Sequence, residues 1–185
     1  MEPTVFTSEQ RSTLLDLSRN AILSSLHPWE AGKPQPEPWL EDERASFVTL
    51  KKQGQLRGCI GSLHPVRSLL DDIWHNAQAA AFSDPRFPPV TEEEFEQLDI
   101  ELSVLTEVQP LTVSSEQELL STLRPGIDGL IIEDGLRRAT FLPSVWEQLS
   151  QPQSFLDQLR LKAGMPAGHW SDTMTCSVYQ VEKIK

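Results

Sequence analysis

The order of hydrophobic and polar positions predicts short strands alternating with amphipathic helices. Apolar residues recur near a 3.6-residue period over 7–26 and again over 66–81, which is typical of helices with one buried face. Between them, residues 45–50 and 55–60 are rich in β-branched and aromatic side chains and are separated by a polar turn. This first half therefore predicts a helix, a β-hairpin and a second helix.

The second half repeats this order. Residues 100–105 alternate between apolar and polar side chains and predict a strand that completes a β-β-α-β unit. Asp134-Gly135, between two apolar runs, predicts a hairpin whose two central residues take the left-handed backbone conformation. A helical stripe follows, and residues 173–183 predict one last strand, which completes a second β-β-α-β unit.

The length limits how these units can be organised. A chain of 185 residues can bury one good core or two small, closely packed subdomains, but not two ordinary independent domains. We expect a single domain over residues 1–185, with one subdomain over about 7–110 and another over about 111–185. The expected fold class is α+β with mainly antiparallel sheet.

The charge and the hydropathy exclude several classes of partner. A formal net charge of −11 repels polyphosphate, so nonspecific nucleic-acid binding is disfavoured. No apolar run approaches the roughly eighteen residues that a membrane helix needs, and residues 1–4 have neither the basic start nor the apolar stretch of a signal peptide. We therefore expect a cytoplasmic protein without a membrane partner.

One acidic stretch suggests a docking surface. Residues 87–123 contain nine carboxylates and no Lys or Arg, and Phe87, Val90 and Phe95 lie beside the acidic residues of its first part. If these apolar side chains were exposed, the stretch would form an acidic face with an apolar centre that attracts a basic partner protein. The alternative is a solvated acidic surface that only keeps the protein soluble.

The strongest candidate site is the sequence Leu56-Arg57-Gly58-Cys59-Ile60-Gly61. Cys59 could act as a thiolate nucleophile or a thiol carrier, with Arg57 on the same face of the strand lowering the pKa of the thiol. Amide groups around Gly58 and Gly61 could hold an anion. The alternative is a structural thiol between glycines that allow close packing, with a β-bulge that turns Arg57 away from Cys59.

Two further groups of residues are candidates near this sequence. Asp84-Pro85-Arg86 predicts a rigid turn that presents the Arg86 guanidinium to a carboxylate or a phosphate, or else a structural turn closed by an ion pair. His64 is a candidate general base, and His75 is a second one that could instead pair with Asp71 across one helical turn.

The sequence predicts no metal site and no cofactor. It lacks the Cys and His spacings of zinc and iron sites, the glycine-rich phosphate loops and the serine nucleophile elbow. Cys59 and Cys176 are too few to hold an iron–sulfur cluster without a partner chain, and a cytoplasmic chain of this size needs no disulfide, so both are expected as free thiols.

Three motifs together resemble a known family. They are the sequence 56–61, Ser83-Asp84-Pro85-Arg86-Phe87-Pro88-Pro89 after a helix, and Phe141-Leu142-Pro143-Ser144-Val145 after a hairpin. In this order they resemble the AMMECR domain family, whose bacterial and archaeal members are called AmmeMemoRadiSam system protein A. The resemblance implies an α+β fold of two interlocked subdomains, and an association with a Memo-like protein and a radical-SAM protein. It implies no established biochemical activity.

Overall fold

The structure is a computed structural model that describes residues 6–185. Residues 1–4, from which we expected no signal peptide, lie outside this range. The described chain contains five α-helices, which are α1 (Ser8–Leu26), α2 (Leu69–Phe82), α3 (Glu92–Phe95), α4 (Glu116–Thr122) and α5 (Pro152–Lys162). Short 3-10 helices lie at Pro38–Leu40 and Pro143–Glu147. None of the described helices has the length and apolar character needed to cross a membrane.

In the part of the chain that the structure describes, eight strands form two four-stranded sheets. The strands are β1 (Ser46–Lys52), β2 (Gln55–Gly61), β3 (Leu98–Leu105), β4 (Gln109–Leu111), β5 (Gly129–Asp134), β6 (Arg137–Phe141), β7 (Thr175–Tyr179) and β8 (Val181–Ile184). The first sheet has the order β2-β1-β3-β8 and the second the order β4-β7-β5-β6. Five strand pairs, which are β1–β2, β1–β3, β4–β7, β5–β6 and β5–β7, are antiparallel. This confirms the expected α+β class with mainly antiparallel sheet.

The described chain divides into two compact units, each with its own core. The first contains the chain up to Leu105 together with Glu182–Lys185, and the second contains Thr106–Val181. In the first unit, helices α1 and α2 cover one face of the sheet, where Val48, Leu50 and Leu102 are fully buried. In the second unit, the core lies around α5 and the strands β5 to β7.

Helix starts follow the local sequence closely. Thr7 caps α1: its side chain accepts a hydrogen bond from the amide of Gln10, and the Gln10 side chain accepts one from the amide of Thr7. These two reciprocal bonds form a capping box, in which a Thr cap and a Gln three residues later satisfy each other's amides. At α4, Ser115 caps the helix without a capping box, because the Glu118 side chain accepts from the amide and hydroxyl of Ser114 and not from the amide of Ser115.

Two expectations about the second unit are wrong in detail. The Asp134-Gly135 hairpin forms, but Asp134 pairs with Arg137, so the two-residue loop is Gly135-Leu136. Of the two loop residues, Gly135 has a positive φ, of 62°, and Leu136 does not. This fits a type II′ turn, in which glycine takes the first central position. The predicted strand over 173–183 is two strands, because Gln180 leaves the second sheet to exchange hydrogen bonds with Thr106, and β8 then joins the first sheet.

Candidate functional site

The site is built on the hairpin of β1 and β2. Gln53 and Gly54 close it, both with positive φ, of 53° and 76°, as a two-residue type I′ turn requires. Leu50 pairs with Gly58 whereas Lys51 pairs with Leu56, so the intervening Arg57 has no partner on β1. Arg57 is therefore the extra residue of a β-bulge, directly before the Gly-Cys pair.

Cys59 lies at the free edge of the sheet, directly opposite Thr49 on β1. The Thr49 Oγ1 atom is 3.3 Å from the Cys59 Sγ atom, and the thiol is half-buried. The backbone amide of Cys59 donates to Oδ2 of Asp84 at 2.9 Å, and its carbonyl accepts from Nη2 of Arg86 at 3.3 Å. Both backbone groups thus point away from β1, as in a non-hydrogen-bonded pair of an antiparallel ladder.

Asp84 and Arg86 take the place of a neighbouring strand at this edge. Arg86 donates to both carboxylate oxygens of Asp84, from Nε at 3.0 Å and from Nη2 at 2.7 Å. The Asp84 carboxylate also accepts the backbone amide of Arg86, which closes the predicted turn. Asp84 is only 4% exposed, and hydrogen bonds from Arg86 hold its pKa well below the usual range. The carboxylate is therefore ionised and fixes the backbone of Cys59.

Arg57 does not lie beside the thiol. Its guanidinium donates to both carboxylate oxygens of Glu94, at 3.2 and 2.9 Å, and to the carbonyl of Pro88 at 2.9 Å. The Arg57 side chain also lies over the ring of Phe87. Glu94 also binds Lys52, which strand alternation places on the face of β1 opposite to Thr49 and Cys59, so the expectation that Arg57 shares the face of the thiol is wrong. The cause is the bulge, because an extra residue breaks the two-residue alternation of a strand.

The two glycines of the motif are required by close packing. A Cβ atom on Gly58 would lie 2.2 Å from the carbonyl oxygen of Ala80 in α2, and one on Gly61 would lie 2.2 Å from the ring of Phe47. Neither glycine has a positive φ. The amide of Cys59 is occupied by Asp84, whereas Gly61, two residues further along the edge, has its amide directed outwards by strand alternation. An anion-binding role for Gly58 and Gly61 stays a prediction.

The two candidate bases are not placed against the thiol. His64 is exposed in the loop after β2, and it makes no hydrogen bond or ion pair within the part of the chain that the structure describes. His75 is exposed on α2, and its expected partner Asp71 forms an ion pair with Lys33 instead. Across residues 6–185 there is also no cluster of three or more His, Cys, Asp or Glu side chains suited to a metal ion.

A buried polar network behind the site was not predicted. Asp72 is fully buried in α2, and one of its oxygens accepts from the amide and hydroxyl of Ser46 and from Asn76. The other oxygen accepts from the hydroxyl of Ser62 and from Arg67. The network ties the start of β1 to the end of β2. A signal was present in the sequence, because Asp72 and Asn76 lie within the apolar stripe of α2 rather than opposite it.

The acidic stretch does not form the expected face. Val90 and Phe95 are buried in the core of the first unit, so they cannot supply an apolar centre. Several of the carboxylates have basic partners from outside the stretch, which are Lys52 and Arg57 for Glu94, His27 for Glu92, Lys51 and Lys185 for Glu101, and Arg160 for Glu116. A docked partner protein on this side stays a prediction.

The second thiol has a different environment. Cys176 lies on β7 in the core of the second unit and is only 2% exposed. Burial raises the pKa of this thiol to about 11. Both cysteines are free, as expected. At neutral pH Cys176 is therefore a protonated, enclosed thiol, whereas Cys59 reaches the surface of the first unit.

Comparisons with known proteins agree with this fold. The family model of AMMECR1 matches residues 15–184. A protein of Methanothermobacter thermautotrophicus is 45% identical over 133 residues, which cover 71% of this chain and 69% of that protein. Protein MK0488 of Methanopyrus kandleri is 36% identical over 188 residues, covering 95% and 87% of the two chains. The crystal structure of the uncharacterized protein PH0010 from Pyrococcus horikoshii matches with a TM-score of 0.78 and 31% identity, over 96% and 92% of the chains.

Proposed function

The chain belongs to the AMMECR1 family, and on that premise we propose that it is a component of a radical-SAM-associated modification system in which Cys59 is the functional thiol. Its partners would be a Memo-like protein and a radical-SAM protein, as the family resemblance implies. The observation that carries the proposal is the contrast between the two thiols. Cys59 is accessible and has its backbone fixed on both sides, whereas Cys176 is enclosed.

The chemistry would be nucleophilic or carrier chemistry of a thiolate. The thiol loses its proton, the sulfur forms a bond to an electrophilic carbon, and the bond from that carbon to its leaving group breaks. The Thr49 hydroxyl, 3.3 Å from the sulfur, can donate to the thiolate. The outward amide of Gly61 is available to an oxyanion of the bound group. None of the described histidines contacts Cys59, so the proton passes to solvent or to the substrate.

A noncatalytic adaptor is the second candidate. Of the seven large apolar side chains exposed in the described chain, the two most exposed are Trp29, at 81% in the first unit, and Leu136, at 104% in the loop between β5 and β6. Aromatic side chains are enriched at protein–protein interfaces relative to the rest of the surface, so Trp29 is the first candidate contact of a partner protein. In this function the chain would hold its partners together, and Cys59 would be a packing residue.

One substitution separates the two functions. Cys59→Ser removes the nucleophile while keeping the size and the backbone hydrogen bonds of the residue, and Cys176→Ser is the matched control. If the system is reconstituted from the chain and its partner proteins, the proposal expects loss of activity in Cys59→Ser with unchanged melting temperature and unchanged complex formation. Full activity of Cys59→Ser would overturn the proposal that Cys59 is the functional thiol and would favour the adaptor function.

A further inference from the structure

We propose that the group which Cys59 takes up is uncharged and apolar, and that Leu56 and Phe47 are the residues that select it. The inference rests on the proposed use of Cys59 as the functional thiol, and it adds the chemical class of the substrate. Its basis is an apolar strip, which consists of Leu56 and Phe47 on the face of the hairpin that carries the thiol.

The β-bulge brings Leu56 onto the face of the thiol. Leu56 pairs with Lys51 and Cys59 pairs with Thr49, and these two residues of β1 are two positions apart, so all four side chains share one face. In a regular strand Leu56 would lie on the opposite face, because it precedes Cys59 by three positions. Leu56 is 44% exposed. A single exposed leucine is ordinary on a protein surface, so the strip depends on Phe47 as well.

Phe47 supplies an apolar surface on the other side of the thiol. It pairs with Gly61 in the row next to that of Thr49 and Cys59. The Phe47 ring covers Gly61 so closely that a Cβ atom on this glycine would lie 2.2 Å from it. The side chain is half-buried, yet it belongs to neither of the two hydrophobic cores of residues 6–185. Core packing therefore does not account for this ring, whereas a group bound beside Cys59 would contact it.

The charged groups near the strip are bound to one another. At the edge of β2, Arg86 donates to both carboxylate oxygens of Asp84. Across β1, Glu101 binds the amino groups of Lys51 and Lys185. A carboxylate or phosphate ligand would have to compete with these two carboxylates for its cations. An uncharged apolar group would instead gain by removing the exposed surface of the strip from water.

The test compares three alkylating reagents at Cys59 in a Cys176→Ser background, which are iodoacetamide, N-benzyl iodoacetamide and iodoacetate. With each reagent a sulfur–carbon bond forms, the carbon–iodine bond breaks, iodide leaves and the thiol proton passes to the buffer. The measured quantity is the rate in the native chain divided by the rate in urea, which removes differences in intrinsic reactivity. We expect this ratio to be about fivefold larger for N-benzyl iodoacetamide than for iodoacetamide, because the added ring can pack on Phe47 and Leu56. Iodoacetate should show no such preference.

Substitutions in the strip test whether it causes the preference. Leu56→Ala and Phe47→Ala should each lower the preference by at least about twofold. Leu136→Ala is the control, because it removes a more exposed leucine in the second unit and should leave the preference unchanged. If Phe47 only shields the thiol, Phe47→Ala would raise the rates of all three reagents together, and the unchanged preference would overturn the inference. If Phe47→Ala does not fold, Phe47→Leu and Leu56→Ala supply the same comparison.

The outcome is independent of the proposed function because the measurement needs no partner protein. Equal ratios for N-benzyl iodoacetamide and iodoacetamide, or a larger ratio for iodoacetate, would overturn the apolar selection even if Cys59→Ser is inactive in the reconstituted system. A preference for the benzyl reagent that the strip variants lose, together with a fully active Cys59→Ser, would uphold the strip as an apolar binding surface and overturn the function.

Discussion

Thr49 and Cys59 face each other across β1 and β2, with the hydroxyl oxygen 3.3 Å from the sulfur. In a non-hydrogen-bonded antiparallel pair the two side chains approach closely. Among the described residues, the Thr49 hydroxyl is the only one within hydrogen-bond distance of the Cys59 sulfur. A hydroxyl can donate to a thiolate and stabilise it, and valine has nearly the same shape without that donor.

Thr49→Val should therefore slow the reaction of Cys59 with a thiol reagent at neutral pH. A single hydrogen bond of about 0.5–1 kcal/mol corresponds to a rate lower by about two- to fivefold. Thr49→Ser is the control, because it keeps the hydroxyl and should retain most of the rate. Equal rates in Thr49→Val and the parent would show that the hydroxyl does not act on the sulfur.

Gly58 provides a test of how the hairpin packs on α2. A Cβ atom at this position would lie 2.2 Å from the backbone oxygen of Ala80, which cannot move without shifting the helix. We expect Gly58→Ala to reduce the free energy of unfolding by about 3 kcal/mol, measured by urea denaturation. Gly32→Ala is the control, since nothing lies within 4 Å of its added carbon. A Gly58→Ala variant as stable as Gly32→Ala would contradict the placement of β2 against α2.

The ion pair of Arg57 and Glu94 gives a pH dependence with a defined sign. Hydrogen bonds from Arg57, then from Lys52, lower the pKa of Glu94 from 4.5 to about 2. Because the pKa is lower in the folded state, its contribution to stability is present above about pH 4.5 and is lost as the pH falls towards 2. Glu94→Gln should thus be less stable than the parent at pH 7 by about 2 kcal/mol, since Arg57 would stay buried without a counter-charge.

The two stability curves should converge as the pH approaches 2. Glu93→Gln is the neighbouring control, because Glu93 is exposed and makes no ion pair in the described chain. Its curve should follow that of the parent throughout. Parallel curves for Glu94→Gln and the parent between pH 7 and pH 2 would argue against this carboxylate as the source of the acid sensitivity.

Asp72 tests the buried network behind the site. Its two oxygens accept five hydrogen bonds, so replacing one oxygen by an NH₂ group brings donors against donors. Asp72→Asn should lower the free energy of unfolding by about 3 kcal/mol. Asp71→Asn, one residue earlier and half exposed in a pair with Lys33, should change it by less than about 1 kcal/mol. If Asp72→Asn and Asp71→Asn both change the free energy of unfolding by only a small amount, the buried network does not stabilise the fold.

The sequence predicts the elements well and the fine geometry of the site less well. Apolar periodicity identifies α1 and α2, and turn residues between apolar runs identify the two hairpins, because these elements depend on local preferences. The bulge at Arg57 is visible only in the register of β2 against β1, and the Gly58 beside it packs against Ala80 of α2, a residue distant in the chain. One extra residue in a strand reverses the side on which the next side chain lies, so the relation of Arg57 to Cys59 could not be obtained by counting.

The same reason explains the other differences. The alternation of apolar residues over 173–183 shows that they form strand, but not that Gln180 transfers the chain from one sheet to the other. Charge counting along 87–123 shows an acidic stretch, but Glu94 and Glu101 find partners on β1 and β2 through strand and loop packing. The sequence leaves an ion-paired turn at residues 84–86 as one of two alternatives, whereas the bonds of Asp84 and Arg86 to both backbone groups of Cys59 depend on the tertiary structure.

The most direct test of the account is the relative reactivity of the two thiols in the native protein. A limiting amount of iodoacetamide at pH 7, followed by mass spectrometry of peptides, measures the modification of Cys59 and Cys176 in the same sample. Cys176 is enclosed and its pKa is raised to about 11, so we expect Cys59 to be modified at least about a hundredfold faster, with equal rates restored in denaturant. If Cys59 reacts no faster than Cys176 in the folded chain, Cys59 is not the accessible thiol that this account requires.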